Sequence, residues 1–176
     1  MRNVPLFMLL FVATLVVLRP AAAQNPDRDI FVRIADAIDR YANYGMFDAI
    51  EVGVENRVVT LGGWVTTPVK RDDILRRVQR IDGIRSLNDN IKVLPVSRRD
   101  DEMRHQIASA IYNNPLFWMQ AQMPVPPIHI IVDAGKIILT GQADSEAQRT
   151  TAAMLAQRVP GNFGVTNMVK VPRPGR

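Results

Sequence analysis

The feature that most narrows what this chain can fold into is an internal repeat. The stretch RVVTLGGWV at residues 57–65 returns as GKIILTGQA at 135–143, an offset of 78 positions. Val59 falls on Ile137, Leu61 on Leu139, Gly63 on Gly141 and Val65 on Ala143. The same offset sets IEVGVEN (50–56) on IHIIVDA (128–134), RIDG (80–83) on RVPG (158–161) and IKV (91–93) on VKV (169–171). Upstream the offset drops to 73, so that Ile30, Ile34 and Ile38 fall on Met103, Ile107 and Ile111. The second copy therefore has five extra residues between its first helix and its first strand. A copy of about 70 residues buries only about 60% of its unfolded surface alone, so each gains from packing on the other.

Each copy reads as helix, strand, strand, helix, strand. In copy 1, Ile30, Ile34, Ala37, Ile38 and Tyr41 recur at helical spacing behind Asp27 and Asp29, acids that suit a helix start. Ile50, Val52 and Val54 then alternate as a half-buried strand does. A tight turn at Glu55 or Asn56 leads into Val59, Leu61, Gly63 and Val65, which share one face. Thr67 is placed to cap a second helix with Pro68 at its first position. Ile74, Leu75, Val78 and Ile81 form that helix's apolar stripe, Gly83 ends it, and SLNDNIKVL (86–94) is the last strand. In copy 2, Asp100, Asp101 and Glu102 open the first helix, and Ser145 with Gln148 spells a capping box for the second. Ala152, Ala153 and Ala156 replace Ile74, Leu75 and Val78, which implies a closer helix–sheet approach or core volume from Met154 and Leu155.

The N-terminus reads differently. One arginine, an apolar run of fifteen (VPLFMLLFVATLVVL) and the small-residue ending AAA describe a secretory signal over residues 1–23, cut after Ala23. Fifteen apolar residues fall short of the roughly 20 that span a bilayer. Cysteine is absent, which excludes a disulfide framework, thiolate catalysis and cysteine-ligated zinc. Loss of Arg2 and Arg19 with the leader lowers Lys+Arg from 22 to 20 against 17 Asp+Glu, so the net charge is +3 rather than +5. That excess is too mild to argue for a polyanion partner such as nucleic acid.

The helix, the pattern I-x-V-x-V-x-x-x-V-V-T-L-x-G-x-V, the polar helix, I-x-G-I and I-K-V together resemble the BON domain. The resemblance covers both copies and is most specific in the strand-turn-strand with its glycine, Gly63 and Gly141. In VPGNFGVTNMVKV, Val165, Asn167, Val169 and Val171 match the family's final strand. Asp89 departs from it by standing where an asparagine is usual. The resemblance implies a bacterial envelope or periplasmic module without catalytic residues, for whose members phospholipid binding has been proposed.

The residues themselves supply no catalytic constellation. His105 and His129 lie in different elements, without metal-ligand spacing. Asp72, Asp73, Asp100, Asp101 and Glu102 sit at helix starts, where carboxylates favour the dipole. GNFG (161–164) joins a helix to a strand, unlike the nucleotide clamp it superficially resembles. Two features suit binding. In NPLFWMQAQMPVPP (114–127), Leu116, Phe117, Trp118 and Met119 are four consecutive large apolar residues. They suit either a cover folded back on the second core or a contact with a lipid interface or partner groove. Lys70, Arg71, Arg76, Arg77 and Arg80 crowd the second helix of copy 1, as a solvated face or as a site for anionic headgroups. Strand parity adds a third feature. Val58, Trp64, Ile131 and Ile138 point away from the helices, onto a sheet face that the other copy or a partner would cover.

The sequence thus predicts an α+β protein of two tandem αββαβ domains, each a three-stranded sheet with two helices on one face. They occupy 27–95 and 100–172, with a linker at 96–99 and a tail at 173–176. The expected function is that of an exported, periplasmic, non-catalytic envelope-maintenance or stress protein that binds anionic phospholipid surfaces weakly. The alternative is a periplasmic protein-interaction module acting through the apolar loop or the open sheet faces. No cofactor, metal or nucleic acid is expected, and the sequence leaves the oligomeric state open.

Overall fold

The computed structural model describes residues 25–172; the expected leader with its cut after Ala23 and the tail at 173–176 lie outside the described residues. Copy 1 opens with α1 (Pro26–Asp39), capped by Asn25, whose side chain accepts from the Asp27 N–H. β1 (Ala49–Glu55) and β2 (Val58–Val65) pair antiparallel. Their turn is made by Asn56 and Arg57, both at positive φ, the type I′ geometry that matches strand twist. Thr67 and Pro68 start α2 (Pro68–Gln79) as expected. β3 (Ser86–Asp89) and β4 (Lys92–Val93) both run parallel to β2. Copy 2 repeats the order with α3 (Arg98–Tyr112), β5 (Ile128–Asp133), β6 (Lys136–Gly141), α4 (Glu146–Gln157) and β7 (Val165–Asn167). The fold is α+β, with two repeats of one helix–hairpin–helix–strand unit. No helix among the described residues is long and apolar enough to cross a membrane.

Three local readings are corrected. The last strand of copy 1 is not continuous over 86–94. The Asp89 carboxylate accepts from the Ile91 N–H at 3.0 Å, a side-chain turn that interrupts the ladder between β3 and β4. Asn167 does the same to the Val169 N–H in copy 2, so the aspartate at 89 preserves the device. The linker expected at 96–99 is already helical from Arg98, because the Ser97 hydroxyl accepts from the Asp100 N–H and caps α3. Ser145 caps α4, but Gln148 does not close a capping box on it. The Gln148 side chain accepts from the Asp144 N–H at 2.9 Å and donates to the Leu116 carbonyl at 3.0 Å.

Each copy has its own core. In copy 1, Ile30, Ile34 and Ile38 of α1 and Ile74 and Val78 of α2 pack on Val59, Leu61 and Val65 of β2. In copy 2, Met103, Ile107 and Ile111 of α3 and Ala152 and Ala156 of α4 pack together on Ile128, Ile130, Val132, Ile137 and Leu139 of β5 and β6. Met154 is exposed, so it does not fill the space its alanine neighbours leave. Phe117 lies fully buried in that same core. The repeated glycine has a physical reason at both positions. Gly63 and Gly141 adopt positive φ, and a Cβ would overlap the carbonyl of Ala49 or of Pro127 on the neighbouring chain segment.

Candidate interaction surfaces

The connection after α3 turns through two short 3-10 segments, Pro115–Phe117 and Gln120–Gln122. Asn114 starts the first by accepting from the Leu116 N–H. This winding, with about three residues per turn, turns Phe117 and Gln120 inward and leaves Leu116, Trp118 and Met119 outside. Phe117 points inward and meets Tyr112 edge-on at 6.4 Å, so it is core and not a contact residue. Gln120 is also buried and hydrogen-bonds Asp144, while the Gln148 amide holds the Leu116 carbonyl. Between these pins Leu116 is 40%, Trp118 65% and Met119 59% exposed, and Met123 just beyond is 48% exposed. Three of the four residues singled out by sequence therefore form a surface apolar patch, with the fourth as its anchor.

The basic helix is less free than its sequence implies. Lys70 reaches the buried Asp48 carboxylate at 2.6 Å. Arg71 pairs with Asp89 and Arg76 with Asp73. The Arg77 guanidinium lies 4.8 Å over the Tyr41 ring. The Tyr41 hydroxyl donates to Asp73 at 2.7 Å, and this bond chiefly holds the Asp73 carboxyl below its ordinary value. Of the five cations named from sequence, Arg80 alone has no ion pair or aromatic stack among the described residues.

The open faces meet at one corner. Trp64, Ile131 and Ile138 gather with Ala49 and Leu94 into a third apolar cluster that joins the copies. Val58 lies outside that cluster, because it sits at the opposite end of β2 from Trp64. The segment 40–48, between α1 and β1, completes the junction. Its Met46 carbonyl accepts from the Ile130 N–H at 2.7 Å, and Met46 and Phe47 pack on the core of copy 2. Phe47 meets His105 edge-on at 5.0 Å, and Tyr44 lies 5.6 Å from His129. Burial lowers the pKa of His129 and pushes Tyr44 up to about 12. Asp48 organises this segment from within. It is fully buried and accepts from the Gly45 N–H, the Thr66 N–H and the Thr66 hydroxyl besides Lys70. Sequence reading counted Tyr41 with the first helix, which ends at Asp39, and passed over 42–48. Two large apolar residues ahead of an aspartate, YGMFD, were its only signal.

The first helix of each copy also clamps its hairpin. Asp27 accepts from the Asn56 and Arg57 N–H groups at 2.8 Å each. Asp100 accepts from the Ala134 and Gly135 N–H groups at 2.9 and 3.0 Å. These acids do more than complement a helix dipole: they tie each helix start to a turn.

These elements make two repeats of one α+β unit, and comparison with known proteins gives the class. The BON domain profile matches residues 27–95 and 100–173, and the chain belongs to the BON domain family. It is similar to osmotically-inducible protein Y of Escherichia coli strain K12, with 25% identity over 146 residues, 82% of this chain and 72% of the relative. Among solved structures it is similar to the C-terminal domain of CdsD, the structural protein of the type III secretion system of Chlamydia trachomatis. That alignment covers 82% of this chain and 98% of the other at 15% identity, with a TM-score of 0.30. A second CdsD structure aligns over 82% and 92% at 14% identity, again with a TM-score of 0.30.

Proposed function

We propose that this is an exported, non-catalytic protein of the bacterial envelope that docks weakly on anionic phospholipid surfaces through its 115–123 loop. One observation carries the reading: Leu116, Trp118 and Met119 are held in solvent by a loop that is itself pinned through Phe117, Gln120 and Gln148. Apolar side chains presented by an ordered loop lose little freedom on insertion, and tryptophan suits the boundary between headgroups and hydrocarbon. Arg80, just past α2, is the one cation of the basic set with no ion pair or aromatic stack among the described residues, so electrostatics is secondary and salt weakens binding only modestly. The N-terminal leader pattern supports export to the periplasm, and the name of the osmotically-inducible relative supports a role in envelope stress.

Flotation with phosphatidylglycerol vesicles at low and moderate salt tests this. Wild type is expected to float and Trp118→Ala to float several-fold less, while Arg76→Glu with Arg80→Glu has the smaller effect. Equal flotation of wild type and Trp118→Ala removes the loop as the anchor. In a Trp64→Phe background, Trp118 emission should shift to the blue on adding vesicles.

A further inference from the structure

The two copies finish the outer edge of their first strand differently. In an antiparallel pair, alternate residues turn both N–H and C=O away from the partner strand. In β5 these are Ile128, Ile130 and Val132, and each is buried and engaged. The Tyr112 hydroxyl donates to the Ile128 carbonyl at 2.7 Å, the Ile130 N–H donates to the Met46 carbonyl, and Arg104 Nη2 donates to the Val132 carbonyl at 2.6 Å. In β1 the equivalents are Ile50, Val52 and Val54. The Ile50 N–H donates to the Tyr44 hydroxyl at 3.2 Å, which fixes the direction of the set, and the Asn56 N–H ends it on Asp27. Between them, Val52 and Val54 have no outward hydrogen-bond partner among the described residues.

The repeat explains the difference. At the helix offset of 73, buried Arg104 falls on Phe31 and Tyr112 on Asp39. Phenylalanine has no donor and an ionised aspartate only accepts, so copy 1 lacks both groups that close the edge in copy 2. Phe31 is instead 44% exposed. A cavity of about 630 Å³ runs beside this edge, walled by Phe31, Ala35, Glu51 and Val52 on one side and by His129 and Lys170 of copy 2 on the other.

We infer that β1 receives an extended polypeptide segment of another protein as an added strand at Val52 and Val54. Main chain is one occupant that the fold itself uses at the equivalent edge: in copy 2 the Ile130 N–H donates to the Met46 carbonyl, between the side-chain contacts of Tyr112 and Arg104. Free strand edges pair with extended peptides, and alternate pockets choose the side chains. An added strand would turn every second side chain toward Phe31 and Ala35 and the others toward Glu51. Asp39 and Glu51 outnumber Lys170 in the cavity wall, so the fitting segment alternates aliphatic with basic residues. A second copy of this chain fits poorly. Two β1 edges would oppose Glu51 and Glu55 of each, and copy 2 walls off the approach of a folded sheet.

This inference does not rest on lipid docking, and its test is separate. The probe is a fluorescein-labelled octapeptide of alternating valine and lysine, read by anisotropy and by amide hydrogen exchange of the intact 24–176 chain. Saturable binding is expected, with slowed exchange at Val52 and Val54. Phe31→Arg, which restores the donor of copy 2, should weaken binding by about tenfold or more, the loss expected when the added strand forfeits its main-chain bonds. Trp118→Ala should leave it unchanged. A peptide N-methylated at alternate residues guards against misfolding of the variant: equal binding by that peptide overturns the inference. So does protection confined to 115–123, or a dimer that protects β1 without peptide.

Discussion

Asp27 and Asp100 occupy equivalent places and do equivalent work, yet their surroundings differ. Each carboxylate accepts from two consecutive turn N–H groups, but Asp100 is buried and Asp27 only half-buried, with its two bonds at the solvent-facing surface. Hydrogen bonds to a buried charge contribute about 1.5–3 kcal/mol, and those in water less. Asp100→Ala is therefore expected to destabilise copy 2 by about 2–3 kcal/mol, and Asp27→Ala to destabilise copy 1 by roughly 1 kcal/mol or less. Urea unfolding of the two variants, followed by circular dichroism, checks the order. Sequence placed both acids correctly at helix starts and missed what they hold. Pattern rules see neighbours along the chain, whereas a turn 29 or 34 residues away comes within reach only after folding.

At the scale of elements, the helices and hairpins were legible because their periods differ and their punctuation is strong. Thr67-Pro68, the alternation about residues 56–57 and the paired glycines set boundaries with little ambiguity. The break between β3 and β4 was hidden because Asp89 ends the ladder through its side chain while the apolar alternation runs on. The 114–127 segment was half legible. Four adjacent large apolar residues marked it, but only the 3-10 winding decides which one turns inward. Phe117→Ala should cost about 3–5 kcal/mol, as removal of a buried aromatic does. Trp118→Ala should stay within about 0.5 kcal/mol, as surface changes do. Thermal melts of the two variants separate the anchor from what it presents. Comparable losses would mean that Trp118 is also part of the core.

At the scale of the molecule, the copies are joined by an apolar corner and by segment 40–48. Parity placed Trp64, Ile131 and Ile138 on the faces that meet, but it could not place Val58, since parity fixes a side and not a position along the strand. His129 sits at this junction, faced by Tyr44 and in the field of Asp39 and Asp48, whose charges raise its pKa against the larger effect of burial. Its net pKa is lowered in the native state. As pH falls through the ordinary histidine value, near 6.5, the unfolded chain takes up a proton that the native junction resists. Stability conferred by the neutral ring is thus present above that pH and declines below it, by at most about 1.4 kcal/mol per pH unit. Wild type should lose more melting temperature between pH 7 and pH 5 than His129→Gln does. Equal losses would assign the acid sensitivity to other groups.

The carbonyl of Met46 on the edge of β5 also orders events in time. A ribosome completes copy 1 before it begins copy 2, and domains tend to fold in the order of synthesis. The cover for the second edge is therefore made before the edge itself, and β5 need never wait bare. Among the described residues the first edge has no such elder sibling. Nothing synthesised earlier there hydrogen-bonds the outward groups of Val52 and Val54, and they are left free for a stranger.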